Sequence, residues 1–167
     1  MGIVVPIIVG VISGLLASLI FYTFLRALKP NIVISDKIAK SGDRFLIKIV
    51  NKANRDAIDI RAELLLMTPI TVPGGIVWKR ERLSLRPEYL MILPKYDKKD
   101  KDAKYAFRFS TEENLFEICN KPQQYLSFKI IAKDEVSGFG KVFIQKYYTE
   151  KDILEGSFEF GESLEIR

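Results

Sequence analysis

The sequence predicts a mainly β protein, an immunoglobulin-like β-sandwich with one short helix, preceded by a single N-terminal transmembrane helix. Three observations predict it. All 26 Lys and Arg and all 21 Asp and Glu residues of the 167-residue chain lie at or beyond Arg26, so an uncharged apolar start is joined to a charged remainder. After Pro30 the apolar period changes from helical spacing to strict alternation, the mark of half-buried strands. The alternating runs are short and divided by Gly, Pro and Asn turn signals at fairly regular intervals, as in a sandwich.

The uncharged run from Ile3 to Leu25 comes first. At about 1.5 Å rise per residue, a helix over it reaches roughly 35 Å, enough for a hydrocarbon core of about 30 Å. No basic residue precedes the run, which disfavours a cleaved signal peptide, and Pro6 stands where a myristoylation pattern needs Ser or Thr. Arg26 and Lys29 follow directly, then Lys37, Lys40 and Arg44, so the basic flank puts the charged domain in the cytoplasm. Residues 1–28 are therefore expected as a membrane helix with its N-terminus outside, and residues 29–167 as a cytoplasmic domain at the cell membrane. Gly10, Gly14 and Ser18 recur at four-residue spacing, with Ser13 and Ala17 one position away. Such a stripe of small residues lets helix backbones approach, and the simpler alternative is an anchor that tolerates glycine. Tyr22 suits the headgroup layer. Arg26, Lys29, Lys37 and Lys40 are candidates for anionic headgroups at about 1 kcal/mol each, or else serve only to set topology.

Pro30 ends the helix and pushes Lys29 toward extended geometry. Asn31 to Ser35 reads as a first strand and Arg44 to Asn51 as a second, followed by a loop to Asp56. Ile58, Ile60, Ala62, Leu64 and Leu66 alternate with Asp59, Arg61, Glu63 and Leu65. Pro73-Gly74-Gly75 is a turn before a strand over Ile76 to Leu85, and Tyr89 to Leu93 is a short edge strand. Lys95 to Lys104 mixes lysines with aspartates and reads as a solvated loop tip. Tyr105, Phe107 and Phe109 then share one face of a strand. Ser110 with Glu113 forms a capping-box pattern, which places a short helix over Thr111 to Ile118, closed by Asn120 and Pro122. Tyr125 to Lys133 and Gly140 to Tyr148 form a hairpin around Ser137 to Gly140. Ser157 to Phe160 and Ser163 to Ile166 are expected as a last strand pair.

The chain has no histidine, which removes imidazole acid–base catalysis, histidine-activated nucleophiles and most zinc and copper sites. Its one cysteine, Cys119, excludes an intrachain disulfide and fits a reducing compartment. The carboxylate pairs Glu112/Glu113 and Asp134/Glu135 are sequence neighbours at a helix start and a turn, where adjacent side chains need not share a cleft. No phosphate-binding glycine loop, EF-hand loop or paired-cysteine motif occurs. The expectation is a non-enzymatic protein without cofactor or metal. The formal net charge of +5 is spread over every element, and without an aromatic and basic stripe nucleic acid is disfavoured as a partner.

Three stretches together resemble a known family. Lys29-Pro-Asn-Ile-Val-Ile-Ser35 with Phe45-Leu-Ile-Lys-Ile-Val-Asn51 and Ile58 to Leu66 are similar to the opening strands of the cytoplasmic C-terminal domain of inward rectifier potassium channels. Phe107 to Phe116 occupies the place of that family's lead into a short helix. Val142 to Phe158, with Asp152-Ile153 and Gly156-Ser-Phe158, resembles its closing hairpin. The resemblance implies an immunoglobulin-like domain directly after a membrane helix, assembling as a ring of four and meeting anionic lipid through basic residues, with Arg26 and Lys29 at the comparable junction. A second membrane helix, a pore helix and a Thr-x-Gly-Tyr-Gly filter are missing from this sequence, so potassium selectivity does not carry over. The expected function is a single-span membrane sensor, effector or interaction module that self-associates. By architecture alone, it extends to an unselective pore or membrane perturbation like that of compact bacterial defence effectors. The alternative is a monomeric anchored adaptor presenting its sandwich to a protein partner.

Overall fold

The computed structural model describes residues 3–167, without the side chains of residues 149 and 150. The expected membrane segment begins with residues 1 and 2, which lie outside the described residues. Helix α1, Val4–Ala27, is the one helix among the described residues long and apolar enough to cross a membrane, and none of its residues is buried. Leu28 ends it, and buried Pro30 begins the extended chain.

Ten strands follow in two sheets. The first sheet holds β1 (Ile32–Ile34), β2 (Ile38–Ser41), β3 (Arg44–Asn51), β7 (Ala106–Thr111) and β10 (Ile153–Glu155). Along one side of β3, β1 pairs with its end at Ile49 to Asn51 and β2 with its start at Arg44 to Leu46. β7 takes the other side, and β10 pairs in parallel with β2. The second sheet holds β4 (Ala57–Val72), β5 (Gly75–Leu83), β6 (Tyr89–Leu93), β8 (Tyr125–Asp134) and β9 (Gly140–Tyr147). β6 and β5 share one side of the long β4, β8 takes the other, and β9 is an edge. Strand β5 forms the opposite edge, exposed from Gly75 to Arg82.

One apolar core draws on both sheets. Ile47, Ile49 and Phe109 from the first are fully buried with Leu64, Phe128 and Ile130 from the second, and the Phe109 and Phe128 rings lie 5.5 Å apart. The alternation of β4 sets this up, since Ile60, Ala62, Leu64 and Leu66 all point inward. A bulge between Ile58 and Arg61 interrupts that ladder. There Asp59 adopts φ +52° and its carboxylate accepts from the Lys133 ammonium at 2.6 Å.

β3 is buried on both faces because the C-terminal segment lies over its outer side. Lys48 is 1% exposed, and its Nζ donates to the carbonyls of Glu159 and Ser163 at 2.7 Å each. Burial is the main cause that lowers its pKa to about 8, with the neighbouring Arg108 adding to it. Arg108 donates to the carbonyl of Phe158 at 3.0 Å, and Leu164 packs on a small second cluster of Val50, Ala103 and Tyr105.

Several expectations need correction. Strands β2 and β10 and a helical turn α3, Thr149–Asp152, lack a counterpart in the sequence reading. The short helix α2 covers only Leu115–Ile118 with Asn114 as N-cap. No capping box forms at Ser110, whose backbone pairs with Arg86, while Glu113 accepts from the Ser84 N–H. Tyr105 leaves the face of Phe107 and Phe109 and turns to the second cluster. The last strand pair reduces to one bridge, Phe158 with Ile166.

Candidate membrane-junction site

Strand direction brings three loops to the end where α1 meets the β domain. β3 ends at Asn51, β6 at Leu93 and β8 at Asp134, and each is paired at that end with a strand that starts or finishes beside it. The loops that follow, 52–56, 94–105 and 135–139, therefore converge. Hydrogen bonds join them: Tyr96 N–H to the Ala53 carbonyl at 2.8 Å, Lys95 N–H to the Asp56 carboxylate at 2.7 Å, and Asp56 N–H to the Glu135 carboxylate at 3.1 Å.

Two buried polar side chains organise the loops. Asn51 donates through Nδ2 to the carbonyls of Arg55, Leu93 and Pro94 and accepts from the Ala53 N–H. Asp134, 1% exposed, accepts from Arg55 Nε at 2.8 Å and from the N–H groups of Val136 and Ser137. Its burial opposes ionisation. The Ser137 N–H, the Arg55 guanidinium and the Val136 N–H outweigh that, and the pKa falls below the usual carboxylate value. Among the described residues no buried side-chain polar atom lacks a partner.

The helix end is fastened to this platform. Ser137 Oγ donates to the Leu28 carbonyl at 2.6 Å, the Tyr22 and Phe139 rings meet edge to face at 6.0 Å, and Lys52 N–H donates to the Asn31 carbonyl at 2.8 Å. Arg26 and Lys29 sit on this junction and are exposed. Lys37 and Lys40 do not join them. They lie on the segment and strand running away from the junction; Lys40 pairs with Phe45, about 20 Å along β3 from Asn51. Lys37 binds the Asp152 carboxylate at 2.7 Å, and Lys40 reaches Glu155 at 3.3 Å. Lys95, Lys98, Lys99 and Lys101 are on the junction loop instead and have no ion pair among the described residues, whereas Asp97 and Asp100 of that loop are engaged by its backbone N–H groups. Sequence order alone hid this, because only the pairing of β6 with β4 and of β7 with β3 shows at which end the connection of β6 to β7 lies.

Gly10, Gly14, Ala17 and Ser18 lie on α1, all exposed, and a Cβ added at Gly10 or Gly14 meets nothing within 4 Å. The Ser18 hydroxyl donates back to the Gly14 carbonyl at 2.8 Å. The candidate acids separate: Glu112 pairs loosely with Arg44 and Arg86, Glu113 turns to Ser84, Asp134 points inward and Glu135 to Asp56. Cys119 is buried in the main core. Among the described residues no three His, Cys, Asp or Glu side chains form a metal-holding group.

No family model matches this chain, and no curated protein matches it. Among solved structures it is similar to the periplasmic chaperone SfaE, at 9% identity over 75% of this chain and 56% of that one, with a TM-score of 0.43. It is also similar to Spo0M, a sporulation control protein from Bacillus subtilis, at 9% identity over 72% of this chain and 49% of that one, TM-score 0.41. The E. coli curli protein CsgC matches at 12% identity over 71% of this chain and 97% of that one, TM-score 0.29. The chain thus spans about half the length of the first two. Likenesses this slight carry nothing about its activity.

Proposed function

We propose that the protein is a non-enzymatic, single-span membrane protein whose β domain, an immunoglobulin-like sandwich, works on the cytoplasmic face as a self-associating sensor or effector module. The observation that carries this reading is the fastening of α1 to the converging loops through Ser137, Phe139 and Lys52, which holds the domain at a set attitude to its helix. A mere tether needs no such contacts. In this reading Arg26, Lys29 and the unpaired lysines of loop 94–105 meet anionic headgroups, and the small-residue face of α1 packs on other copies. A ring of four is the arrangement that the channel-domain resemblance adds.

The test is the mass of the full chain in nanodiscs beside its Gly14→Leu variant. Because nothing lies within 4 Å of the added Cβ, the leucine leaves the single chain undisturbed and acts only between helices. A defined oligomer that the substitution dissociates is expected. Monomers in both samples would overturn self-association and favour the second reading, an anchored adaptor, for which the fully exposed edge β5 offers a protein partner its free backbone groups.

A further inference from the structure

At the end of the β domain opposite the junction, aromatic and basic side chains from distant parts of the chain come together. β8 runs from Tyr125 to Asp134, so its start lies about 30 Å from the junction loops. There Tyr125 packs on Trp78 of β5, with ring centroids 5.1 Å apart, and on Tyr148 after β9, at 6.0 Å. Lys146 Nζ stands 5.0 Å over the Tyr125 ring.

Beside this row opens a cleft of about 760 Å³, within the range of small-molecule sites. Phe116 of α2 and Tyr148 line it, 43% and 48% exposed, together with Lys121, Lys151, Gln123 and Gln124. Gln124 builds one wall: its side chain donates to Thr68 Oγ1 at 2.8 Å and accepts from the Lys121 N–H at 2.8 Å. Gln123 sits at φ +65° on the same loop, and its amide is exposed. Among the described residues no acidic side chain lines the cleft, and neither Lys121 nor Lys151 has an ion pair. Two carboxylates near it are engaged by other lysines, Glu155 by Lys40 and Asp152 by Lys37.

We infer that this cleft binds a nucleotide, with the base against the Phe116 or Tyr148 ring, Gln123 within reach of the base edge and the phosphates on Lys121 and Lys151. The chemistry follows from the lining. The half-exposed Tyr148 ring, and the face of Phe116 left open by Phe45 and by the Lys40 ammonium 5.6 Å from its centroid, offer a base a stacking surface that water does not match; unpaired ammonium groups attract phosphate, and a carboxamide presents both a donor and an acceptor. The same chemistry suits a free nucleotide or one residue of a single strand laid along Tyr148, Tyr125 and Trp78. The inference stands on the cleft and holds whether or not the helices associate.

The experiment is titration of the full chain in neutral nanodiscs with ATP, adenosine, tripolyphosphate and an eight-residue oligodeoxyadenylate, read by calorimetry. Saturable ATP binding is expected, at least tenfold tighter than adenosine or tripolyphosphate. It should weaken at least fivefold in the paired Lys121→Gln, Lys151→Gln variant, whose exposed positions leave folding unchanged, and in Phe116→Ala, whose folding is checked by thermal melting because the ring also packs on Phe45. An oligonucleotide binding tenfold tighter than ATP identifies a strand, and equal or weaker binding identifies a free nucleotide. Tripolyphosphate matching ATP, no saturable binding of either probe, or binding indifferent to the lysine substitutions would overturn the inference.

Discussion

The Tyr147 hydroxyl donates to the Ser35 carbonyl at 2.7 Å, with both residues fully buried. It joins the end of β9 in the second sheet to the break between β1 and β2 in the first. The Ser35 hydroxyl accepts from the Lys48 N–H at 3.2 Å, so the same residue is bound on both sides. Burial pushes the Tyr147 phenol pKa far up, and the group stays a donor over any ordinary pH.

Tyr147→Phe keeps the ring and removes the donor, leaving a buried carbonyl short of a partner. It should lower stability by about 1–3 kcal/mol. Chemical denaturation of the domain checks this, and a change under 0.5 kcal/mol, an order-of-magnitude threshold for surface effects, would mean that water replaces the hydroxyl.

Acid should loosen the junction through Asp134. Its folded pKa lies below the unfolded value, so its contribution is complete above about pH 4 and is lost as the pH falls through the lower folded value. Asp134→Asn should cost about 2–3 kcal/mol at pH 7 and flatten that acid limb. Thermal melts of both proteins between about pH 2 and 7 separate the two effects; parallel curves would assign the acid limb to other carboxylates.

Ser137→Ala deletes the hydrogen bond to Leu28 and the long one, at 3.2 Å, that the hydroxyl accepts from the Phe139 N–H, while sparing the Asp134 bonds, which use the Ser137 backbone N–H. The domain's stability should fall by no more than about 1 kcal/mol, from the loss of the Phe139 bond. Cleavage by trypsin after Arg26 in nanodiscs should quicken several-fold, because that bond lies in the last turn of α1, where the helix is fastened. Equal cleavage rates would show that Phe139 and Lys52 hold the junction without it.

Gly156 starts the C-terminal segment at φ +132°, and an added Cβ there would lie 2.2 Å from the Arg167 carbonyl oxygen. Backbone cannot give way as a side-chain tip does, so Gly156→Ala should release residues 157–167. Hydrogen exchange at Ser157 and Arg167, whose N–H groups now bind each other's carbonyls, should then approach the unprotected rate.

Alternation placed the longer strands, whatever the distance to their partners. β3, β6, β8 and β9 fall where Arg44 to Asn51, Tyr89 to Leu93 and the hairpin around Ser137 to Gly140 put them. β2 and β10 escaped because Ile38-Ala-Lys-Ser41 and Ile153-Leu-Glu155 are short and show no alternation; β2 is fixed by its pairing with β3, and β10 becomes a strand only by pairing with β2 across more than half the chain. Lys48 breaks the pattern of β3 for the same reason, since the carbonyls that satisfy it belong to Glu159 and Ser163. The junction was half legible. Arg26 and Lys29 follow from their place after the helix, while Lys37 and Lys40, close to them in sequence, are carried away from the junction along extended chain. The aromatic row of Trp78, Tyr125 and Tyr148 has no local signature at all, each member coming from a different strand region.

The exposed edge β5 takes on a different meaning once chains share a bilayer. Confinement to a plane raises the effective concentration of one domain for another, and an unpaired strand is then an open template for its copies. Lys79, Arg80 and Arg82 lie along that edge with only Glu81 to offset them. Two such edges repel on contact. If α1 spans a bilayer as proposed, crowding there need not end in irreversible sheet growth, because copies that meet along this edge are driven apart again.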